Sequence, residues 1–332
     1  MPHRKLTILF SGMIAGDPGH GGAAWAVLQY VLGFRRLGHD IILVEPVAEK
    51  ALRPEGAALE ETAQAAYFRE VVGAFDLARS AALLLEGTRR TVGLTYDDLA
   101  AAARRADVIF NVSGMLRDAA VLEPIPRRVY LDLDSAFIQL WHAVEGIDMR
   151  FAAHNAFVTV GMNVGRGGSA VPTCGVNWSH TLQPVVLEHW PVAGRVERDA
   201  FTTIGNWRGY GSVQHEGIHY GQKAHSLRRL IDLPTRTDEK FLLAMNIHPD
   251  ETQDLAALAR NGWQLVDPAT VAATPAQYAN FIRGSRGEFG VAKSGYVASH
   301  CGWFSDRSAC YLASGRPVVA QETGWSRWLP AG

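Results

Sequence analysis

The residues with the most chemical capacity lie in Ala298–Thr323, A-S-H-C-G-W-F-S-D-R-S-A-C-Y-L-A-S-G-R-P-V-V-A-Q-E-T. A turn of small residues leads into an amphipathic segment, then a Gly, then a branched strand. Ser299, Gly302 and Ser305 near a helix start offer backbone N–H groups and hydroxyls to an anion, and the helix dipole favours negative charge there. Diphosphate is the natural ligand of such a place. The same residues also read as a plain capped helix, with Ser305 or Asp306 as the cap. Lys293, just upstream, is a cation able to reach the same anion.

Two other segments invite a ligand. In Asp17-Pro18-Gly19-His20-Gly21-Gly22 the glycines let the backbone turn tightly and approach a ligand closely. This is not a dinucleotide fingerprint: it lacks a clean G-x-G-x-x-G, and Glu45 closing the second strand is a weak ribose-binding signal. A nicotinamide-dependent oxidoreductase is disfavoured on that ground. In Asn206-Trp207-Arg208-Gly209-Tyr210-Gly211, glycines again permit close approach and Arg208 could meet phosphate charge. A surface loop with one packed aromatic is the alternative. His215 and His219 stand at i, i+4, a metal-compatible spacing in a helix, but Gly217 and Gly221 argue against that helix. No metal site is expected.

His300-Cys301-Gly302-Trp303, then Ser305, then Gly315-Arg316-Pro317-Val318-Val319 resemble the donor-binding signature of family-1 and related GT-B glycosyltransferases. The wider stretch Gly295–Gly332 is similar to bacterial glycosyltransferases, and the likeness extends more weakly along the whole chain. It implies an α/β fold of two Rossmann-like doubly wound domains with parallel sheets facing across a cleft. In that family the residues matching His300 and Ser305 contact donor phosphates, and an acidic-plus-amide pair after G-x-P-V-V contacts sugar hydroxyls. Here the pair reads Gln321-Glu322, in reversed order. Asn206, Arg208 and Gly209 belong to the loop against which GT-B donors lie. With Lys293, Ser299, Gly302, Trp303, Phe304 and Asp306 they complete the expected donor set, Trp303 and Phe304 packing under the turn. Phe304 stands where the family has Asn, and Ser308 where it has a ribose-binding Glu, so donor recognition differs in detail, with Asp306 a substitute.

The resemblance also implies that His20 is the general base, on an acceptor-side loop with Gly19, Gly21 and Gly22. An imidazole suits that work because it titrates near neutrality. A carboxylate must orient it. Asp132 and Asp134 are expected to do so, at a strand C-terminus where open α/β sheets place their sites; Ser113 and Asn111 are further candidates. The implied reaction moves a sugar from a UDP- or dTDP-sugar to an acceptor hydroxyl of a small molecule or glycan, without metal or cofactor. A nucleotide-sugar epimerase and a non-catalytic nucleotide-sugar binder are the alternatives.

The elements expected to position these residues alternate. Leu6–Phe10, Ile41–Val44, Val108–Val112, Arg128–Leu133 and Ala156–Val160 read as strands, with helices over Ala23–Leu37, 55–86 and Tyr96–Ala106. After the Pro-flanked 184–191 the pattern restarts. Ala200–Gly205, Lys240–Ile247, Trp263–Val266, Phe289–Ala292 and Pro317–Ala320 read as strands, and Asp250 as a helix cap. The expected division is an acceptor-side domain 1–183, a linker 184–191, and a donor domain 192–332 that stops before the fold's closing strand and helices. The 332 residues accommodate two such domains. A net charge of −1 points to neither nucleic acid nor an anionic membrane. Cys174, Cys301 and Cys310 have no CxxC spacing, which speaks against a disulfide framework or structural zinc and fits a reducing cytoplasm. Met1-Pro2-His3-Arg4-Lys5 runs straight into an apolar run too short for a signal segment.

Overall fold

The computed structural model describes residues 4–332; Met1-Pro2-His3 lie outside them. The chain forms two compact units. The first takes the chain up to Leu133 together with Met149–Val158, and the second takes Asp134–Asp148 together with Thr159–Gly332.

The first unit holds β1 (Thr7–Ser11), α1 (Gly21–Arg36), β2 (Asp40–Val47), α2 (Ala63–Ala74), β3 (Ala81–Leu85), β4 (Thr91–Gly93), α3 (Tyr96–Ala103), β5 (Val108–Val112), α4 (Ala119–Leu122), β6 (Arg127–Asp132) and β7 (Ala156–Thr159). Their order in the sheet is β4-β3-β2-β1-β5-β6-β7. The central pairs are parallel and β4 runs antiparallel to β3. Leu9, Val44, Leu84, Leu99 and Ile109 pack one face of the sheet, because continuous apolar strands need cover on both sides. The order reverses between β1 and β5, so the loops after these strands open at the crevice where doubly wound sheets bind ligands.

The helix expected over 55–86 is shorter, and its last third is a strand. Ala81–Leu85 is buried at all five positions and pairs with β2. Ala and Leu are good helix formers, but five consecutive buried residues suit a strand covered on both faces better than a helix.

In the second unit, α5 (Phe137–Ala143) and the two-residue β8 (Ser179–His180) precede β9 (Arg198–Asn206), β10 (Val213–His215), β11 (Ile218–Tyr220), α6 (Lys223–Arg228), β12 (Phe241–Asn246), α7 (Thr252–Arg260) and β13 (Gln264–Leu265). They are followed by α8 (Pro268–Val271), α9 (Pro275–Gly284), β14 (Ser285–Gly290), α10 (Ser294–Ser299), α11 (Asp306–Ala313) and β15 (Val318–Ala320). The five-stranded sheet runs β13-β12-β9-β14-β15, all parallel. Trp207, Leu243, Trp263 and Phe289 anchor its core. Asp250 does not cap α7: Glu251 is the N-cap residue, without a side-chain bond, and Asp250 is exposed.

Compactness draws the boundary away from 184–191. That stretch lies wholly inside the second unit, where Trp190 is buried against Tyr278. Helix α5 belongs to the second unit because Phe137 packs edge-on to Tyr210 and Tyr296 there. Among the described residues, no helix is long and apolar enough to cross a membrane.

Candidate functional site

In the second unit the C-terminal ends of β14 and β15 and the start of α11 enclose a small pocket. Gly290, Trp303, Ser305, Arg307, Gln321 and Trp325 are among its lining. Ser305 is the N-cap of α11, and its Oγ accepts from the Arg307 N–H at 3.2 Å. The amides of Asp306 and Ser308 lack an i−4 acceptor by helix geometry and face the positive end of the dipole. Arg307 is locally out of place, since a cation in the first turn opposes that dipole. A buried carboxylate holds it: Nε donates to Glu288 Oε1 at 2.5 Å, and Nη1 donates to Ile204 O at 2.9 Å. The other Glu288 oxygen, Oε2, is buried with no partner among the described residues.

Lys223, which opens α6, was missed in the sequence. It is half-buried and, among the described residues, makes no hydrogen bond or ion pair. Its ammonium runs close over Gly205, at the end of β9. Burial pushes its pKa well down, the charges of Arg307 and Lys293 add to that, and those of Glu288 and Asp306 offset part of it. A lysine in the first turn of a helix that has no acidic residue in that turn is the local anomaly that could have flagged it. It can donate three hydrogen bonds to an anion.

Several other expected donor residues already have partners within the protein. Lys293 Nζ lies 3.0 Å from both oxygens of Asp134 and 3.2 Å from Tyr296 OH, with Tyr210 OH also bonded to it. The rings of Phe137, Tyr210 and Tyr296 surround the ammonium. Tyr296 is buried beside Asp134, and both facts raise its phenol well above the ordinary range. Arg208 pairs with Glu251. Ser299 lies in α10, fully buried, and donates to Tyr296 O at 3.2 Å. His300 is exposed at the end of α10 in the left-handed region, where its carbonyl accepts from Asn163. Glu322 is exposed, and its carboxylate accepts from the Gly324 amide. Gln321 Oε1 accepts from the Ala292 N–H at 3.1 Å. Asn206 closes β9 and is exposed, and the Gly209 N–H reaches Gln222 Oε1 at 3.4 Å.

Gly302 is a glycine for a reason other than ligand approach. Its φ is +79°, its N–H donates to Thr323 O at 2.7 Å, and a Cβ would meet the Asn163 amide at 2.9 Å. Trp303 and Phe304 do pack at the turn, against Tyr296 and Trp325.

In the first unit His20 is the N-cap residue of α1, and Gly21 and Gly22 open that helix rather than extend the loop. The carboxylate beside His20 is Asp17 of its own loop, at 3.3 Å from Nδ1, whose carbonyl lies at 3.1 Å. Of the two carboxylates expected beside His20, Asp132 is fully buried at the end of β6 and Asp134 is bonded to Lys293 in the second unit. Asn111 is no candidate either: its amide bonds both ways with Leu116 and meets His154 Nε2 at 3.1 Å. Ser113 follows β5 in the left-handed region, its N–H bonded to Leu131 O. His215 and His219 lie on a hairpin whose register puts them on opposite faces, which removes the metal spacing.

No family model and no curated protein sequence matches the chain. Among solved structures, an α-glucosyltransferase "in complex with UDP and a 13-mer DNA containing a HMU base" is similar with a TM-score of 0.55 at 11% identity, covering 95% of this chain and 79% of that one. The spinosyn forosaminyltransferase SpnP has a TM-score of 0.35 at 12% identity, covering 97% and 88%. The glycosyltransferase SnogD from Streptomyces nogalater has a TM-score of 0.32 at 11% identity, covering 97% and 88%. The first likeness, with the two doubly wound units, shows the fold to be of the GT-B kind.

Proposed function

We propose that the chain is a glycosyltransferase of hexosyltransferase type that takes a sugar from a UDP- or dTDP-sugar bound in the second unit. The observation that carries this reading is Lys223, an amine that makes no hydrogen bond or ion pair among the described residues and feels the charges of Arg307 and Asp306 in the first turn of α11. The start of α11, the Ser305 hydroxyl and Lys223 together suit a diphosphate, whose negative charge grows as it leaves. The α-glucosyltransferase of the same fold was solved in complex with UDP, which supports a nucleotide donor. His20, steadied by Asp17, takes the proton from the acceptor hydroxyl. The acceptor oxygen then bonds to the anomeric carbon, and the carbon–oxygen bond to the diphosphate breaks.

The proposed donor set centres on Lys223, Ser305, Asp306, and the walls of Trp303, Phe304 and Trp325. The acceptor is a small molecule or glycan, consistent with a net charge of −1 that offers no attraction to nucleic acid. Neither a metal nor a cofactor is needed in this chemistry, and three reduced cysteines suit a cytoplasmic setting. Calorimetry of the full chain with UDP and dTDP, followed by a donor panel with release of the nucleoside diphosphate as readout, tests the reading. Binding that depends on Lys223, with turnover on at least one donor, supports it; absence of nucleotide binding defeats it.

A further inference from the structure

The loop between β1 and α1 is tied from beneath by a residue of the next strand. Glu45 lies on β2, fully buried. Its Oε1 accepts from the Ala15 N–H at 2.8 Å and from the Gly16 N–H at 2.6 Å, and Oε2 lies 3.0 Å from the Ala15 N–H. Successive backbone amides converging on one point make an anion receptor, and here the protein fills it with its own side chain. Gly16 is suited to the contact, because a Cβ there would sit 3.5 Å from Oε1 and 3.3 Å from Met13. Four residues further on is His20, fixed to the same loop through Asp17.

We propose that Glu45 is a positioning residue, a latch that holds the amides of Ala15 and Gly16 and thereby sets where His20 stands. The assignment of His20 as base rests on the function proposed above; the latch itself does not. The surroundings of Glu45 are otherwise uncharged. Strands β1 and β3 on either side, T-I-L-F-S and A-A-L-L-L, carry no ionisable side chain. Helix α2 brings the Tyr67 phenol, which burial and the charges of Glu70 and Glu45 push upward. The loop itself adds the exposed Asp17 and half-exposed His20, paired with each other.

Burial outweighs the backbone amides of Ile14, Ala15 and Gly16 and raises Glu45 from 4.5 to about 7. The latched loop thus holds a proton that a solvated Glu45 would release, so ionisation favours unlatching, and the latch weakens as pH rises through about 7.

Amide hydrogen exchange on the full chain, expressed as protection factors, reads the latch without any substrate. The wild type is expected to protect Ala15 and Gly16 and to lose about tenfold protection between pH 6 and 8, while the strands of the same sheet keep theirs. In Glu45→Gln the single amide oxygen can take both bonds, so protection should persist with no pH dependence in that range. In Glu45→Ala it should be lost at every pH. Transfer activity, where present, should show a falling limb near neutrality that Glu45→Gln lacks. Equal protection in the Ala variant and the wild type would overturn the latch, as would a Gln variant with the wild-type pH dependence. Normal latch behaviour in a protein that transfers no sugar would sink the glycosyltransferase reading and leave the latch standing.

Discussion

Lys223 Nζ lies so close to Gly205 that a Cβ on that glycine would be 2.7 Å away. The glycine at the end of β9 therefore makes room for the ammonium. Only the tip of a flexible side chain obstructs the methyl, so Gly205→Ala should fold. It should displace the ammonium and weaken UDP binding about tenfold, the scale of one hydrogen bond to a charged group. Wild-type affinity in this variant, measured by calorimetry, would show that the lysine's position does not matter.

Lys223→Met separates stability from binding. The native fold disfavours the lysine's charge, so it gives up its proton at a lower pH than in the unfolded chain. The cost is present at neutral pH and is relieved as pH climbs through the lowered pKa towards 10.5. The Met variant should thus melt higher than the wild type at pH 7, with the gap narrowing at pH 9–10, and bind UDP at least tenfold more weakly. Lower stability at both pH values would point to a partner for the ammonium.

Ser305 and Gly302 should respond differently to alanine. Ser305→Ala removes the Arg307 cap, costing about 1 kcal/mol of stability, and should cost UDP binding roughly 1–2 kcal/mol. Gly302→Ala should lower the melting temperature of the ligand-free protein, because the new Cβ meets Asn163 at a φ of +79°. Unaltered stability of Gly302→Ala would count against that account.

The His20–Asp17 pair is short-range and half-exposed. His20→Asn should lower kcat by about 10²–10⁴-fold with donor affinity nearly unchanged, because a general base acts in the transition state. Asp17→Asn should cost less, as an exposed pair contributes little. Steady-state kinetics with a fixed donor measures both, and equal turnover of His20→Asn and wild type would remove His20 from the chemistry.

Glu45 sets a stability trend. Its native pKa of about 7 lies above the ordinary 4.5, so its contribution is full below about pH 4.5 and is lost as pH rises through 7. Replacing it by Gln should shrink the loss of unfolding free energy between pH 4.5 and 8 by on the order of 3 kcal/mol. Urea unfolding of both proteins at the two pH values checks this.

Much of this protein was decided within short windows of sequence. Leu6–Phe10 and Val108–Val112 are legible as buried strands, and Gly38 and Gly315 mark helix ends, because burial runs and stop signals act over a few residues. The same holds for the Ser305 cap and the turn before α11. The fold class follows from the alternation of such elements, and Trp303 of the H-C-G-W segment is among the residues that line the pocket.

Tertiary structure decided which charges are spent. Lys293 and Asp134 stand 159 residues apart, and only folding brings them together inside a ring of aromatics. Arg208 is neutralised by Glu251, 43 residues away, while Lys223 is buried with no hydrogen bond or ion pair among the described residues. Loop geometry assigned Asp17 rather than Asp132 or Asp134 to His20, and brought Glu45 under the glycine loop. Ala81–Leu85 became a strand only because β2 offered it an edge. Caps and periodicity are local and leave a trace in sequence. Charge pairing and burial depend on partners far along the chain, and one sequence does not record them.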